Sequence, residues 1–464
     1  MNARGHAGRQ GRHVGRRAVL GAGVVGVGAF AAWKVLGGAE DPEIPAPPER
    51  QPLWTYALNG AAAGVTWLRS AGGSLYVTSD GPLSVHALDA GSGRRRWVAE
   101  VTGGKQGDAV LGPVTVADGT VYAVAGGGHV NAFADADGGR RWASAPLGGG
   151  SPAAPVVIGS TVCVLMQTEK AADEAGGTRT LVEGVLCGLA KGTGRVKWRT
   201  GGNRLLLGDP SRGQVIAETR GGERIVALDA DSGDERWSLP KQDSVVLAAN
   251  GKLMYAIGAG KGNELAAYDL STGGRRWKSP APPKESAEGP GAAITLSADG
   301  RTVYACEGGT GAVYAYDAAT GDRRWRATVD APVNPEVASG GTAVFLATSD
   351  GYRGAHNVDS GLQNPFSSGQ KSAGGYVTAR AAADGKQLWR TRSDSCSTAP
   401  APAGSRFVLV GHGAELWAYD AGTGAARWRV QGEPGADRVP LVADGRAYVL
   451  TDAGVGAFSV AASA

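Results

Sequence analysis

The sequence predicts an all-β chain folded as a single β-propeller of four-stranded antiparallel blades. Three observations carry that expectation. A ten-residue phrase recurs in phase at a spacing of roughly forty residues, the mark of a repeat architecture. Glycine is spread along the whole length, 76 of 464 residues, which suits many tight turns better than long helices. Nine of the twelve tryptophans (Trp54, Trp97, Trp142, Trp198, Trp237, Trp277, Trp325, Trp389 and Trp428) stand in one repeated setting.

The phrase reads YDAATGDRRW at 316–325, YDLSTGGRRW at 268–277, LDADSGDERW at 228–237 and YDAGTGAARW at 419–428. Glycine precedes Trp by four residues in eight places: Gly93, Gly138, Gly194, Gly233, Gly273, Gly321, Gly385 and Gly424. The residue before it is Ser, Thr or Asp, which bonds its own turn through a short oxygen-bearing side chain. Glycine there supplies the positive φ of a hairpin with a bulge, and the Trp opens the next strand, burying a large ring against a neighbouring unit. Upstream of each turn lie two alternating segments around a Gly-rich break, as in GTVYAVAGGGHVNAFAD, preceded by an apolar stretch such as GPVTVADG. Each unit therefore has four strands, with the Trp strand last and outermost. A basic residue precedes Trp in seven of the eight units, Leu388 being the exception, and charge on an outer strand discourages edge-to-edge pairing.

The two ends of the repeat region complement each other. PLWTYALNG at 52–60 resembles a Trp strand without its first three, and PLVADGRAYVLTDAGVGAFSV at 440–460 resembles three strands without a fourth. Their pairing closes the ring with a composite blade. The literal count is then nine blades, above the usual range of about four to eight, so eight stays open as the alternative.

Charge separates the N-terminal segment from the rest. Residues 1–34 hold six bases and no acid; without them 41 bases face 43 acids. A near-neutral body offers no electrostatic footprint for nucleic acid. Arg16 and Arg17 precede the uncharged run Ala18 to Trp33, so residues 1–40 are expected to be a twin-arginine-like export signal, cleaved after Ala29-Phe30-Ala31 or retained as a membrane anchor. Residues 41–52, DPEIPAPPERQP, are expected to be an extended Pro-rich linker holding the body (53–464) off the membrane.

Taken together, the phrase A-x-D-x-x-T-G-x-x-x-W and its recurrence resemble the pyrrolo-quinoline quinone (PQQ)-like propeller repeat over about residues 52–460, in an exported, actinobacterial type of chain. The resemblance covers quinoprotein alcohol dehydrogenases, the BamB-type outer-membrane assembly factor and sensor domains of some actinobacterial kinases. It implies the fold and does not imply that the quinone is bound.

The repeated Asp is the first candidate for chemistry. It stands at Asp89, Asp229, Asp269, Asp317 and Asp420, and Ala134, Ala190 and Ala381 replace it in the other units. A carboxylate that Ala replaces within one chain, at a turn whose amides need acceptors, reads as structural. The quinoprotein pattern includes a vicinal Cys-Cys disulfide, a calcium site of Glu, Asn and Asp, and an Asp base; here the four cysteines stand apart at 163, 187, 306 and 396. No catalytic residue, cofactor or metal site is assigned. His129 and His412 are expected in exposed hairpin turns. Cys163 and Cys187 fall on adjacent strands of one unit, near enough for a disulfide to be one outcome.

Two insertions depart from the repeat, 167–182 in the third unit and 350–375 in the seventh, both between second and third strands and so on one face. Surface loops lengthen at little cost, which is one reading of both. The other is a rim for a partner or ligand. The second insertion is the better candidate, through Tyr352, Arg353, His356, Asn357, Asp359 and Phe366, which mix aromatic, cationic and amide groups of the kind used at interfaces. The expectation is a monomeric, non-catalytic scaffold or sensor at the cell envelope, binding a protein or cell-wall ligand and meeting the membrane only through its N-terminal segment. The competing expectation is a PQQ- and calcium-dependent dehydrogenase.

Overall fold

A computed structural model of the chain describes residues 44–58, 65–80, 82–103, 111–148, 150–174, 177–219, 224–240, 246–258, 264–282, 292–307, 311–329, 336–349, 375–393, 400–412, 415–431, 440–451 and 454–460. The described elements are strands, and they build nine blades, the literal repeat count. Each blade is an antiparallel meander whose strands pair in chain order, as in the first: Val65–Ala71, Ser74–Asp80, Leu83–Asp89 and Arg95–Glu100. Blade 9 pairs Leu441–Ala443, Arg446–Thr451 and Gly454–Ser459 with Trp54–Tyr56 from the other end of the chain, in the register Trp54 to Ala457 and Tyr56 to Val455.

Blades 3 and 4 share a strand. Val196–Asp209 is the outer strand of blade 3 up to Gly201, and from Gly202 it pairs with Gln214–Thr219 as the inner strand of blade 4. Among the described residues, no other strand runs from one blade into the next.

The apolar core is distributed over the junctions between blades. Nine buried clusters fall at nine blade–blade interfaces; the one between blades 6 and 7 gathers Tyr304, Cys306, Val313 and Trp325 against Val344 and Leu346. Alternation dictates this. A central strand such as Ala312–Asp317 is buried on both sides because each blade face meets a neighbour, whereas the outer strand Arg323–Thr328 shows Arg to solvent and Trp325 to the next blade.

The turn before Trp fastens one blade to the next. In blade 6, Asp317 accepts bonds from Ala319 N and Thr320 N, and Gly321 N donates to Asp317 O at 2.9 Å. Gly321 takes φ +79°, and a Cβ there would stand 2.5 Å from Cε3 of Trp277 of blade 5. The ring therefore lies flat on a glycine. Its Nε1 donates to the neighbouring blade's Ala318 O at 3.2 Å. Seven tryptophans make this indole bond to the following blade, at 2.7 to 3.2 Å. Seven of the nine blades, all but 3 and 4, also set a second-strand aromatic on their own Trp, as Tyr304 on Trp325 at 5.9 Å, a pairing the phrase itself does not announce.

Candidate functional site

The turn face can be judged first, because it carries the repeated carboxylates. Asp229, Asp269, Asp317 and Asp420 each pair with the Arg that precedes Trp in the same unit, at 2.6, 2.5, 2.7 and 3.1 Å. Their other oxygen accepts turn amides: Asp231 N and Ser232 N for Asp229, and Gly422 N and Thr423 N for Asp420. Asp89 accepts from Ser92 N and Ser92 Oγ. Bonds to the Arg236 guanidinium and to Ser232 and Asp231 amides hold the Asp229 carboxyl below the usual carboxylate range, and the Ser271 hydroxyl and Arg276 do the same for Asp269. These groups are ionised and fully occupied, so none is placed to move a proton. An open cleft between blades 5 and 6 is lined by the same pairs, with Lys252, Asp299 and Arg301 beside them.

The face with the connections between second and third strands differs. In blade 3 the strands Thr161–Glu174 and Gly177–Ala190 run fourteen residues each, against five to seven in most other blades. The expected loop at 167–182 is therefore not a loop. It is a continuation of the ladder, in register from Thr168 and Glu183 to Glu174 and Gly177. The blade's inner strand leaves this pair at Gln167 and its outer strand at Val185, so beyond those points the ribbon has no third strand among the described residues. Seven residues at the strand rise make an arm about 24 Å long. Both of its edges present backbone groups that have no strand partner among the described residues.

The six residues singled out in the other insertion, Tyr352, Arg353, His356, Asn357, Asp359 and Phe366, lie outside the described residues, as do Arg16, Arg17 and Cys396. The nine repeat tryptophans all lie in outer strands, at the junctions expected of them.

Cys163 and Cys187 are not joined. Cys163 is opposite Gly188 and Cys187 opposite Val164, so the two thiols are one step out of register. Cys163 packs into the core towards blade 4 and Cys187 into the core towards blade 2. Adjacent strands were legible from the spacing; the one-residue offset that turns the side chains to opposite faces was not. Burial pushes the Cys163 thiol up to about 12 and raises Cys187 as well.

The histidines are half-buried rather than exposed turn residues. His129 bonds Ser144 O at 3.0 Å through Nδ1, and His412 stacks on Trp417 with ring centres 4.1 Å apart. A third, His86, escaped the sequence reading and joins blade 9 to blade 1. Its Nδ1 lies 2.9 Å from Tyr56 Oη and its Nε2 3.0 Å from Ser84 Oγ. Ser84 Oγ donates to Pro82 O, so it accepts from Nε2–H, and Nδ1 accepts from Tyr56. Ser84 is almost fully buried, which makes this serine–histidine pair a seam contact closed to substrate.

Residues 44–50 belong to the stretch read as a linker. They lie against the propeller: Ile44 packs on the core between blades 7 and 8, and Glu49 bridges Arg429 of blade 8 in parallel.

Among the described residues, the thiol pair and the metal-ion donors of the quinoprotein pattern are not brought together. The three described cysteines are dispersed among three separate cores, no two cysteines are adjacent in the chain, and no group of three Asp, Glu, His or Cys side chains among the described residues is arranged to hold a metal ion.

Comparison with known proteins agrees with this geometry. The family model described as outer membrane protein assembly factor BamB matches residues 45–178, 261–363 and 373–462. Among solved structures, BamB from Moraxella catarrhalis is 15% identical, over 88% of this chain and 98% of that one, with a TM-score of 0.51. Quinohemoprotein alcohol dehydrogenase from Comamonas testosteroni is 16% identical, over 90% of this chain and 77% of that one, with a TM-score of 0.50. No curated protein matches the chain. At such identities the solved structures speak for the fold alone, while the family model covers most of the sequence; the chain belongs to the BamB family of PQQ-like β-propellers.

Proposed function

We propose that the protein is a non-catalytic binding scaffold of the cell envelope, exported through its twin-arginine-like segment and then secreted or held at the membrane. The arm of blade 3 is the observation that carries this reading. A rigid ring that projects a two-stranded ribbon with open edges is built to add a strand from a partner, because main-chain groups left unpaired at an edge are satisfied by any extended segment that reaches them. Membership of the BamB family supports a protein partner. The 350–375 insertion would add side-chain recognition on the same face, through Tyr352, Arg353, His356, Asn357, Asp359 and Phe366.

The test has two parts on the full chain. It is first mixed with PQQ and Ca²⁺, desalted, and read by absorption spectrum and unfolding midpoint. The expected result is no retained chromophore and no shift. A stoichiometric chromophore with a raised midpoint would replace the scaffold with a quinone-dependent dehydrogenase, since a ligand of the native state must stabilise it. Photo-crosslinking residues are then placed at Thr178 in the arm and at Gly341 on the opposite face. A defined envelope protein captured only through Thr178 is expected; equal capture from both positions would sink the reading.

A further inference from the structure

We infer that the composite blade is where the ring opens, and that residues 44–50 are a strap holding it shut. The argument starts from what each Trp rests on. Eight of the nine junction tryptophans, Trp54 through Trp389, lie on the glycine of the following blade's turn. Trp428 of blade 8 has no such glycine. The blade that follows it is blade 9, whose third strand ends at Ser459 and whose fourth strand is Trp54–Tyr56 from the other end of the chain, so no turn connects the two.

The hydrogen bonding is short at the same place. Trp428 Nε1 and Trp54 Nε1 are buried without a partner, whereas the other seven indoles donate to the neighbouring blade. These two tryptophans flank blade 9, one on each side. Both junctions of the composite blade therefore lack a bond that every other junction has, and a buried donor left unpaired weakens the contact further.

The N-terminal segment covers the deficit at Trp428. Arg50 Cζ lies over the indole at 5.0 Å from its centre, a cation–π contact in the place of the missing glycine turn. The backbone is stitched to the blade's outer strand. Arg50 N donates to Arg429 O at 2.8 Å, and Arg429 N donates to Pro48 O at 3.0 Å. Arg429 Nε donates to Pro47 O at 3.2 Å, and its guanidinium also engages Glu415. Pro47 is buried, and proline fits here because its missing N–H is not asked to donate. The strap thus ties blade 8 to the chain segment that goes on, three residues later, to become the fourth strand of blade 9. Pulling it away leaves blade 9 held by the apolar cores it shares with blades 8 and 1, by the three rungs of Trp54–Tyr56, by Trp54 on Gly93, and by the Tyr56–His86 and Tyr448–Ala90 contacts.

Hydrogen exchange read by mass spectrometry on the full chain tests this. In the native protein, amides of Arg446–Thr451 and Gly454–Ser459 should exchange faster than the matching central strands of the other blades. The variant Arg50→Pro removes both the cation and the N–H that bonds Arg429, and should raise exchange in Ala426–Gln431 and blade 9 by about tenfold or more, leaving blades 2 to 6 unchanged. Should that variant fail to fold, Arg50→Ala keeps the backbone bond and should raise exchange at the same two places by about threefold. Protection in blade 9 equal to that of the other blades overturns the inference. So does a variant effect that is nil or spread evenly around the ring.

Discussion

Replacing Gly321 by Ala probes the junction on which the whole ring depends. Two costs apply. An L-residue at φ +79° is strained by roughly 1–2 kcal/mol, whatever surrounds it. The added Cβ would also stand 2.5 Å from Cε3 and 2.6 Å from Cδ2 of Trp277, so the indole must tilt off its seat. Forcing a methyl into a packed contact costs about 1–3 kcal/mol more, and the Nε1 bond to Ala318 O, already at 3.2 Å, lengthens with it. Gly341 is the control: its φ is +64°, and a Cβ would meet nothing within 4 Å. Gly341→Ala should therefore lose only the first term and Gly321→Ala about 2–5 kcal/mol, measured as urea midpoints by far-UV circular dichroism. Pairing Gly321→Ala with Trp277→Leu should recover much of the excess, because the smaller side chain yields. Equal midpoints for the two glycine variants would refute the claim that glycine is required by the ring above it.

Two further outcomes follow from the seam and the core. Burial, and secondarily the charge of Arg95, lower the His86 pKa to about 4, so the folded state favours the neutral ring that accepts from Tyr56. Unfolded chain takes up a proton near pH 6.5 that the native state refuses, so stability is whole above that pH and falls as pH drops from 6.5 towards 4. With part of the ring exposed, the loss should be about 1–2 kcal/mol, and His86→Gln should flatten the pH 7 to 5 segment of a urea-midpoint profile; an unchanged profile would show that the seam does not titrate. Cys163 and Cys187 should remain thiols after exposure to oxidant and react with a thiol reagent only on unfolding, as their burial and raised pKa values require. A mass loss of two hydrogens located to this pair would contradict the opposed faces seen in the ladder.

How much was legible varied with how local the cause was. The turn phrase is a local object: Gly before Arg and Trp, with a short oxygen donor or acceptor, has one low-energy conformation, and its eight repeats with the complementary ends pointed to nine blades while leaving eight open. The same locality told the use of Asp317 and its counterparts, since Ala134, Ala190 and Ala381 stand in their place within one chain. The insertion at 167–182 was visible as an excess of residues but not as strands, because Gly-rich and charged composition does not reveal that two flanking strands will carry their ladder onward. Cys163 and Cys187 show the same boundary, where one residue of register decides which core each enters.

Residues far apart in the chain mark the limit of the linear reading. Tyr56 and His86, and Arg50 and Trp428, occupy no common phrase, and nothing in the local pattern of either pair calls for the other. By itself the sequence determined the blade, its turn chemistry and the way the ends meet, because each of those is set by periodicity and by short-range hydrogen bonding; the choice of nine blades over eight came with the structure. Tertiary structure decided what happens where periodicity stops: at the composite blade no turn offers Trp428 a glycine, and a proline-rich segment some 380 residues away in sequence takes that place because ring closure brings it there.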